Sequence, residues 1–133
     1  MSARTWIVIA GITGALGVVL GAFGAHVLPG WLPRLGVAAL DIPQRIETYE
    51  IGVRYHMYHA LALLGVGLLA PHMPGRGLAL AGWAFLLGVT IFSGLLYAIA
   101  LTGMRILGLV VPVGGVLLIA GWLALAYAGW TKD

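Results

Sequence analysis

Three of the four histidines in this chain, His26, His56 and His59, are of the residue type best suited to hold a metal ion, grip a haem iron or move a proton near neutral pH. His56 and His59 stand three residues apart. One helix would therefore present both imidazoles to one ion, and His26 would add a third donor from another helix. His26 opposite His59 would suit a haem held between two helices. Further polar groups accompany them: Tyr55 and Tyr58 beside the pair, then Thr90, Ser93 and Tyr97 at helical spacing, then Arg105. The nearest carboxylate is Glu50, so a metal set here would be all imidazole. A third reading needs no ligand. Histidines and tyrosines at helix ends bond to carbonyls and to each other, tying helices together. That reading leads, with no metal, no cofactor and no catalytic residue expected. A pocket for a small solute, a lipid headgroup or a relayed proton is the alternative.

The elements that would position these groups follow from composition. Hydrophobic residues make up 62% of the 133 and charged residues 8%, against about 25% charged in soluble domains. Too few polar residues remain to wrap a globule, so the outer surface must face lipid. There is no cysteine, hence no disulfide frame and no thiolate chemistry. The net charge of +3 comes from seven scattered basic residues, and without a basic cluster nucleic acid is not an expected partner. The apolar run from Trp6 to Ala25 exceeds the roughly 7–15 residues of a signal core and is read as a retained membrane helix.

A span needs about twenty apolar residues. Four segments qualify, at about 6–27, 53–70, 78–101 and 106–128, separated by Pro29-Gly30, by Pro71 to Gly77, and by Thr102-Gly103. The expectation is an all-α integral membrane four-helix bundle, one domain over residues 1–133, with an interfacial segment between helices one and two. Trp31 to Val37 is apolar with one base and suits that segment. Asp41, Pro43 and Gln44 read as a helix start of the capping type. Helix two should then protrude from the membrane, carrying Arg45, Glu47, Glu50 and Arg54, with Glu50 and Arg54 spaced to pair.

An even number of spans puts both termini on one side. That side holds Arg4, Arg76 and Lys132, and the other holds Arg34, Arg45, Arg54 and Arg105. The termini are expected in the cytoplasm, on the ground that acids on their own helix tie up Arg45 and Arg54.

Topology then gathers His26, Tyr55, His56, His59, Ser93, Tyr97 and Arg105 into one polar pocket at one membrane face. Pro112, inside the fourth span, would free the Gly108 carbonyl and kink the helix, with Gly114-Gly115 easing the bend. Gly14, Gly17, Gly21 and Gly24 share one helix face, a smooth surface for close approach where lipid removes the hydrophobic drive. Gly114 and Gly121 form a second such stripe, set against the first or against another subunit. A homo-oligomer or a larger membrane complex is thus expected, beside the bilayer itself. Trp6, Trp31 and Trp130 read as interface anchors and Trp83 and Trp122 as packing residues. His72, between Pro71 and Met73, reads as a solvated turn residue.

No enzyme signature is present. Gly11, Gly14 and Gly17 lack dinucleotide or phosphate-loop spacing, and the spans hold no buried acid of the kind an ion-coupled carrier uses. Five stretches nonetheless recur together in order: Gly21-Ala22-Phe23-Gly24-Ala25-His26; Tyr55 with His59-Ala60-Leu61-Ala62-Leu63-Leu64; Phe92-Ser93-Gly94 with Tyr97; Pro112-Val113-Gly114-Gly115; and Gly121-Trp122. With these the chain resembles domain-of-unknown-function family 423, the small membrane proteins like YgdD and transmembrane protein 256. The resemblance covers nearly the whole chain, and the family's motif residues match at His26, His59, Ser93, Tyr97, Pro112, Gly114 and Gly115. His56 belongs less clearly to the pattern, which counts against a His56–His59 metal pair. The resemblance implies four spans and the bacterial cytoplasmic membrane, and it implies no activity. The resulting expectation is a non-enzymatic structural or accessory membrane protein, with a pocket holding a metal, haem, lipid headgroup or small solute as the alternative.

Overall fold

In the computed structural model, residues 1–73 and 75–131 are described. Helix α1 (Ala3–His26) starts at Ser2, whose hydroxyl accepts from the Thr5 amide at 3.2 Å, and runs unbroken because no proline interrupts it before Pro29. A short helix α2 (Leu28–Trp31) and a 3-10 turn (Pro33–Leu35) follow, ended by Gly36 in the left-handed conformation (φ 77°). Leu28 and Leu32 are fully buried there against Tyr49 and Ala100, and Trp31 meets Phe23 edge to face at 5.5 Å. The segment between the first two long helices is therefore a packed cap across the helix ends.

Helix α3 (Ile42–Leu69) begins at Asp41 with Pro43 in its first turn, and the Asp41 side chain makes no capping bond. Pro43 carries the start instead, since its fixed φ suits a first turn and its missing donor is not needed there. Helix α4 (Arg76–Thr102) stops at Gly103, φ 74°. A 3-10 stretch (Arg105–Leu109) leads into α5 (Val111–Trp130). Pro112 stands in the first turn of α5, so the expected kink is absent: the proline starts the helix, where a lost amide leaves no carbonyl stranded.

Three stretches are long and apolar enough to cross a membrane: Ala3–His26, Arg76–Thr102 and Arg105–Trp130. Helix α3 is the least apolar of the four long helices, because Arg54, His56 and His59 interrupt it. It nevertheless packs antiparallel along almost the whole of α1. Tyr49 sits over Gly24, Val53 over Gly21, Ala60 opposite Gly14, and Ile7 over Gly67. The packing stripe continues upstream of residue 53, where Tyr49 is buried over Gly24. The α1 glycine face meets α3, and the α5 glycines meet Phe92 and Phe85 of α4; the two stripes do not meet each other. Without side chains at these points the backbones approach closely, which supplies dispersion contact that lipid cannot undercut.

The four long helices pack in chain order, α1 on α3, α3 on α4 and α4 on α5, and among the described residues α1 and α5 share no packed interface. The bundle is an open row with both chain ends at one end of it. Trp6 closes that end: it is 2% exposed and occupies space left by Gly67 and Gly82, where added Cβ atoms would stand 3.3 Å and 2.6 Å from its atoms. Expected as an interface anchor, it is a core residue because two glycines vacate room for the indole. Trp83 and Trp122, expected inside, are about half exposed.

Candidate functional site

The two histidines of α3 have different partners. His56 bridges three helices. Its Nε2 lies 2.9 Å from the Thr13 carbonyl of α1, and its Nδ1 lies 3.1 Å from the Tyr97 hydroxyl of α4. A carbonyl only accepts, so Nε2 carries the proton and donates to Thr13, leaving Nδ1 to accept from the Tyr97 O–H. Both ring nitrogens of the neutral imidazole are consumed. The space is made by glycines: a Cβ on Gly17 would overlap Met57 Sδ and stand 3.2 Å from His56 Cδ2, and one on Gly52 would stand 2.8 Å from Tyr97 Cε1. A turn or two away, the Tyr49 hydroxyl donates to the Leu20 carbonyl at 3.1 Å, and its ring lies 4.8 Å from that of Tyr97.

His59 has a separate set of neighbours. Its Nδ1 lies 2.7 Å from the Tyr55 carbonyl one turn earlier, so Nδ1 donates and Nε2 is left as a bare acceptor. That Nε2 is buried without a partner, as is Ser93 Oγ. His59 is 4% exposed and Ser93 1%. The imidazole lies 5.6 Å from the Phe85 ring and 6.3 Å from Trp122. It lines a groove of about 420 Å³ between α3, α4 and α5, with Tyr55, Tyr58, Phe92, Leu118 and Trp122 around it.

The structure separates the expected pocket into three places. His26 is exposed at the far end of α1, in a cleft with Phe23, Trp31 and Arg34. At 1.5 Å per residue it lies about 20 Å along α1 from Thr13, the partner of His56. Arg105 is exposed in a different cleft beside Asp41 and Arg45. His56, Tyr97 and Tyr55 lie with His59 and Ser93 in the middle stretch of the helices. The common depth expected for His26 and His59 fails because α3 enters the packed layer near Tyr49, which carries its histidines deep. Among the described residues no three His, Asp or Glu side chains converge as a metal donor set, and His26 does not face His59 as a haem pair must.

Three participants escape a reading of the sequence. The Thr13 carbonyl is invisible to any side-chain pattern. Tyr49 lies one helical repeat before His56, and the stripe Tyr49, Val53, His56, Ala60 could have revealed it. Arg45, expected to pair with acids on its own helix, instead sits at the end of α4, with its Nη1 2.9 Å from the Ala100 carbonyl and 3.4 Å from that of Ile99. A cation there satisfies terminal carbonyls and faces the negative end of the helix dipole.

A family model described as "Protein of unknown function (DUF423)" matches residues 20–115. The UPF0382 membrane protein YwdK of Bacillus subtilis is 39% identical over 126 residues, covering 94% of this chain and 95% of that protein. A UPF0382 membrane protein of Staphylococcus haemolyticus, SH2409, is 39% identical over 122 residues, covering 92% of each. The UPF0382 inner membrane protein YgdD of Escherichia coli is 34% identical over 122 residues, covering 92% of this chain and 86% of that protein. No solved structure matches the chain.

Proposed function

We propose a function from the premise that this chain belongs to the DUF423 family, whose relatives are named only as membrane proteins of uncharacterised activity: it is a non-enzymatic accessory protein of the bacterial inner membrane. The observation that carries this reading is the Thr13–His56–Tyr97 bridge. The polar side chain best suited to chemistry spends both its nitrogens on neighbouring helices, which is what a group retained for architecture does. A charge or polar group in lipid is expensive, and a closed hydrogen-bonded tie is the cheapest way to keep one. The dispersal of His26, His59 and Arg105 over separate clefts speaks against the alternative of one metal, haem or headgroup pocket.

In this reading both termini lie in the cytoplasm with Arg4 and Arg76, and Arg45 is withdrawn from the count of free bases on the opposite side by its contact with α4. The partners are lipid and, at the outer faces of α1 and α5, a second copy or a larger membrane complex.

The test uses purified protein in lipid nanodiscs. Wild type, His56→Phe and Tyr97→Phe are compared for thermal unfolding, metal content and visible absorbance. Architecture predicts lower unfolding temperatures in both variants and no cofactor signal in any of them. A copurifying metal or chromophore that wild type carries and His56→Phe lacks would overturn it.

A further inference from the structure

We propose that the cleft where the start of α3 meets the end of α4 seats the headgroup of one phospholipid, of the class whose head carries a phosphate and a primary ammonium, with an acyl chain lying down the α3–α4 seam. The inference rests on the membrane setting of the proposed function and names the lipid. The cleft holds no histidine, and it is not the single polar pocket set aside above.

The first observation is that both signs of charge share one small space. Asp41, Arg45 and Arg105 line a cleft of about 200 Å³, with Gln44 and Gly103 beside them. The Asp41 carboxylate makes no capping bond to its own helix. Arg45 is anchored through Nη1 by the Ala100 and Ile99 carbonyls, and its Nη2 packs where a Cβ on Gly103 would overlap it. A guanidinium has five N–H donors in a flat fork, so Arg45 keeps donors for a phosphate oxygen and Arg105 supplies a second fork. Two guanidiniums for a phosphate and one carboxylate for an ammonium complement a zwitterion. The space equals about six or seven waters at roughly 30 Å³ each, which suits the about eight non-hydrogen atoms of a phosphate with a two-carbon amine.

The second observation is depth. One apolar stretch ends at Thr102 and the next begins at Arg105, so the cleft sits where two membrane-crossing stretches meet the surface, at the level of lipid phosphates. The third is what lies beneath. Thr48 and Ile99 line the cleft, and Tyr55 and Phe92, each seven residues deeper on the same helix, line the groove shared with α5. Seven residues make about two turns, so each pair lies on one helix face, about 10 Å apart along the axis. The Tyr55 and Phe92 rings are 4.7 Å apart, and the groove of about 420 Å³ continues to Leu118 and Trp122. A charged cleft above an apolar groove, on one side of two neighbouring helices, repeats the order of head and chain in a phospholipid. An acyl chain covers such a groove without needing a hydrogen bond from it.

These features select among heads. A purely anionic head satisfies the arginines but leaves Asp41 facing no cation. A choline head brings a cation with no N–H to donate to the carboxylate. A primary ammonium donates directly to Asp41 in a charge-assisted bond.

Detergent-solubilised protein, titrated separately with dioleoyl phosphatidylethanolamine, phosphatidylcholine and phosphatidylglycerol, tests the site, with bound lipid counted by native mass spectrometry. The expected result is one ethanolamine lipid retained at roughly tenfold lower concentration than either of the others, the difference made by one charge-assisted hydrogen bond. Asp41→Asn should erase the preference over the choline lipid, and Arg105→Gln should weaken binding of all three. Both side chains are exposed, so neither change disturbs the core. Gly115→Leu, which fills the groove and leaves the charges in place, should weaken all three lipids and keep the preference among them. Water-soluble phosphoethanolamine should not displace the lipid. Equal retention of the three lipids, an undiminished preference in Asp41→Asn, or displacement by phosphoethanolamine would each overturn the proposal. The cleft shares no residue with the Thr13–His56–Tyr97 bridge, so the two ideas can fail separately.

Discussion

The imidazole of His56 passes over the bare Cα of Gly17: a methyl group there would stand 3.2 Å from His56 Cδ2 and overlap the Met57 sulfur. The glycine and the histidine therefore form one device, in which the missing side chain on α1 admits the ring that binds α1 to α3 and α4. Gly17→Val should press on this bridge and destabilise the protein by about 1–3 kcal/mol, the range for overpacking. Thermal unfolding in nanodiscs checks it, and an unchanged midpoint would refute the shared space.

Removing the bridge itself should be felt at both ends. Tyr97→Phe loses one hydrogen bond, and membrane-embedded side-chain bonds average about 0.6 kcal/mol. His56→Ala also opens a cavity and should cost about 2 kcal/mol or more. The double variant should be less destabilised than the sum of the two, since the second change removes a bond already lost. Strict additivity would mean the two residues do not interact.

Two adjacent glycines on α5 should behave in opposite ways. A Cβ on Gly114 would stand 2.6 Å from the Phe92 backbone nitrogen, while one on Gly115 meets nothing nearer than 3.8 Å. Backbone cannot move aside as a flexible side-chain tip can. Gly114→Ala should therefore separate α5 from α4 and lower the unfolding midpoint sharply, and Gly115→Ala should leave it unchanged or slightly raised, as alanine favours helix. Equal effects would contradict the packing of α5.

The Arg45 contact with the end of α4 should be measurable too. Arg45→Met keeps much of the side chain's bulk but leaves the Ala100 carbonyl without its cation, with an expected loss of about 1 kcal/mol. Hydrogen exchange should rise locally in the last turn of α4 and remain unchanged in the first turn of that helix. A uniform rise would point to general loosening instead.

Orientation can be read by chemistry because the chain has no cysteine. Leu40, 95% exposed at the loop before α3, and Ser2 at the amino end mark opposite ends of the bundle. In spheroplasts, a membrane-impermeant maleimide should label Leu40→Cys, and should reach Ser2→Cys only after permeabilisation. The reverse pattern would place both termini outside.

Much of this architecture was legible in the residues, for identifiable reasons. An apolar share of 62% forces lipid exposure, and runs of about twenty residues between breakers reveal helices directly. Glycines at helical spacing announce a close approach, though not which partner makes it, because several helices could use the same smooth face. Depth was harder to read. A hydropathy window averages all sides of a helix, so Glu50 and Arg54, exposed on α3, mask Tyr49 and Val53, which pack beneath them. The histidines consequently read as lying at a membrane mouth. Trp6 misled for a related reason: its place near the chain start suggests an interface, while the cavity it fills is built from Gly67 and Gly82, distant in sequence. Pro112 reads as a kink only if the helix is taken to start at residue 106, before the 3-10 stretch ends.

The open row of helices has a consequence for biogenesis. Every major interface joins segments that emerge consecutively from the ribosome, so each new hairpin can close on its predecessor without waiting for distant sequence. Such local connectivity favours rapid folding and leaves few misassembled intermediates to rescue. A truncated nascent chain ending after α4 should already hold its first three long helices in their final arrangement, with the last one zipped on as translation finishes.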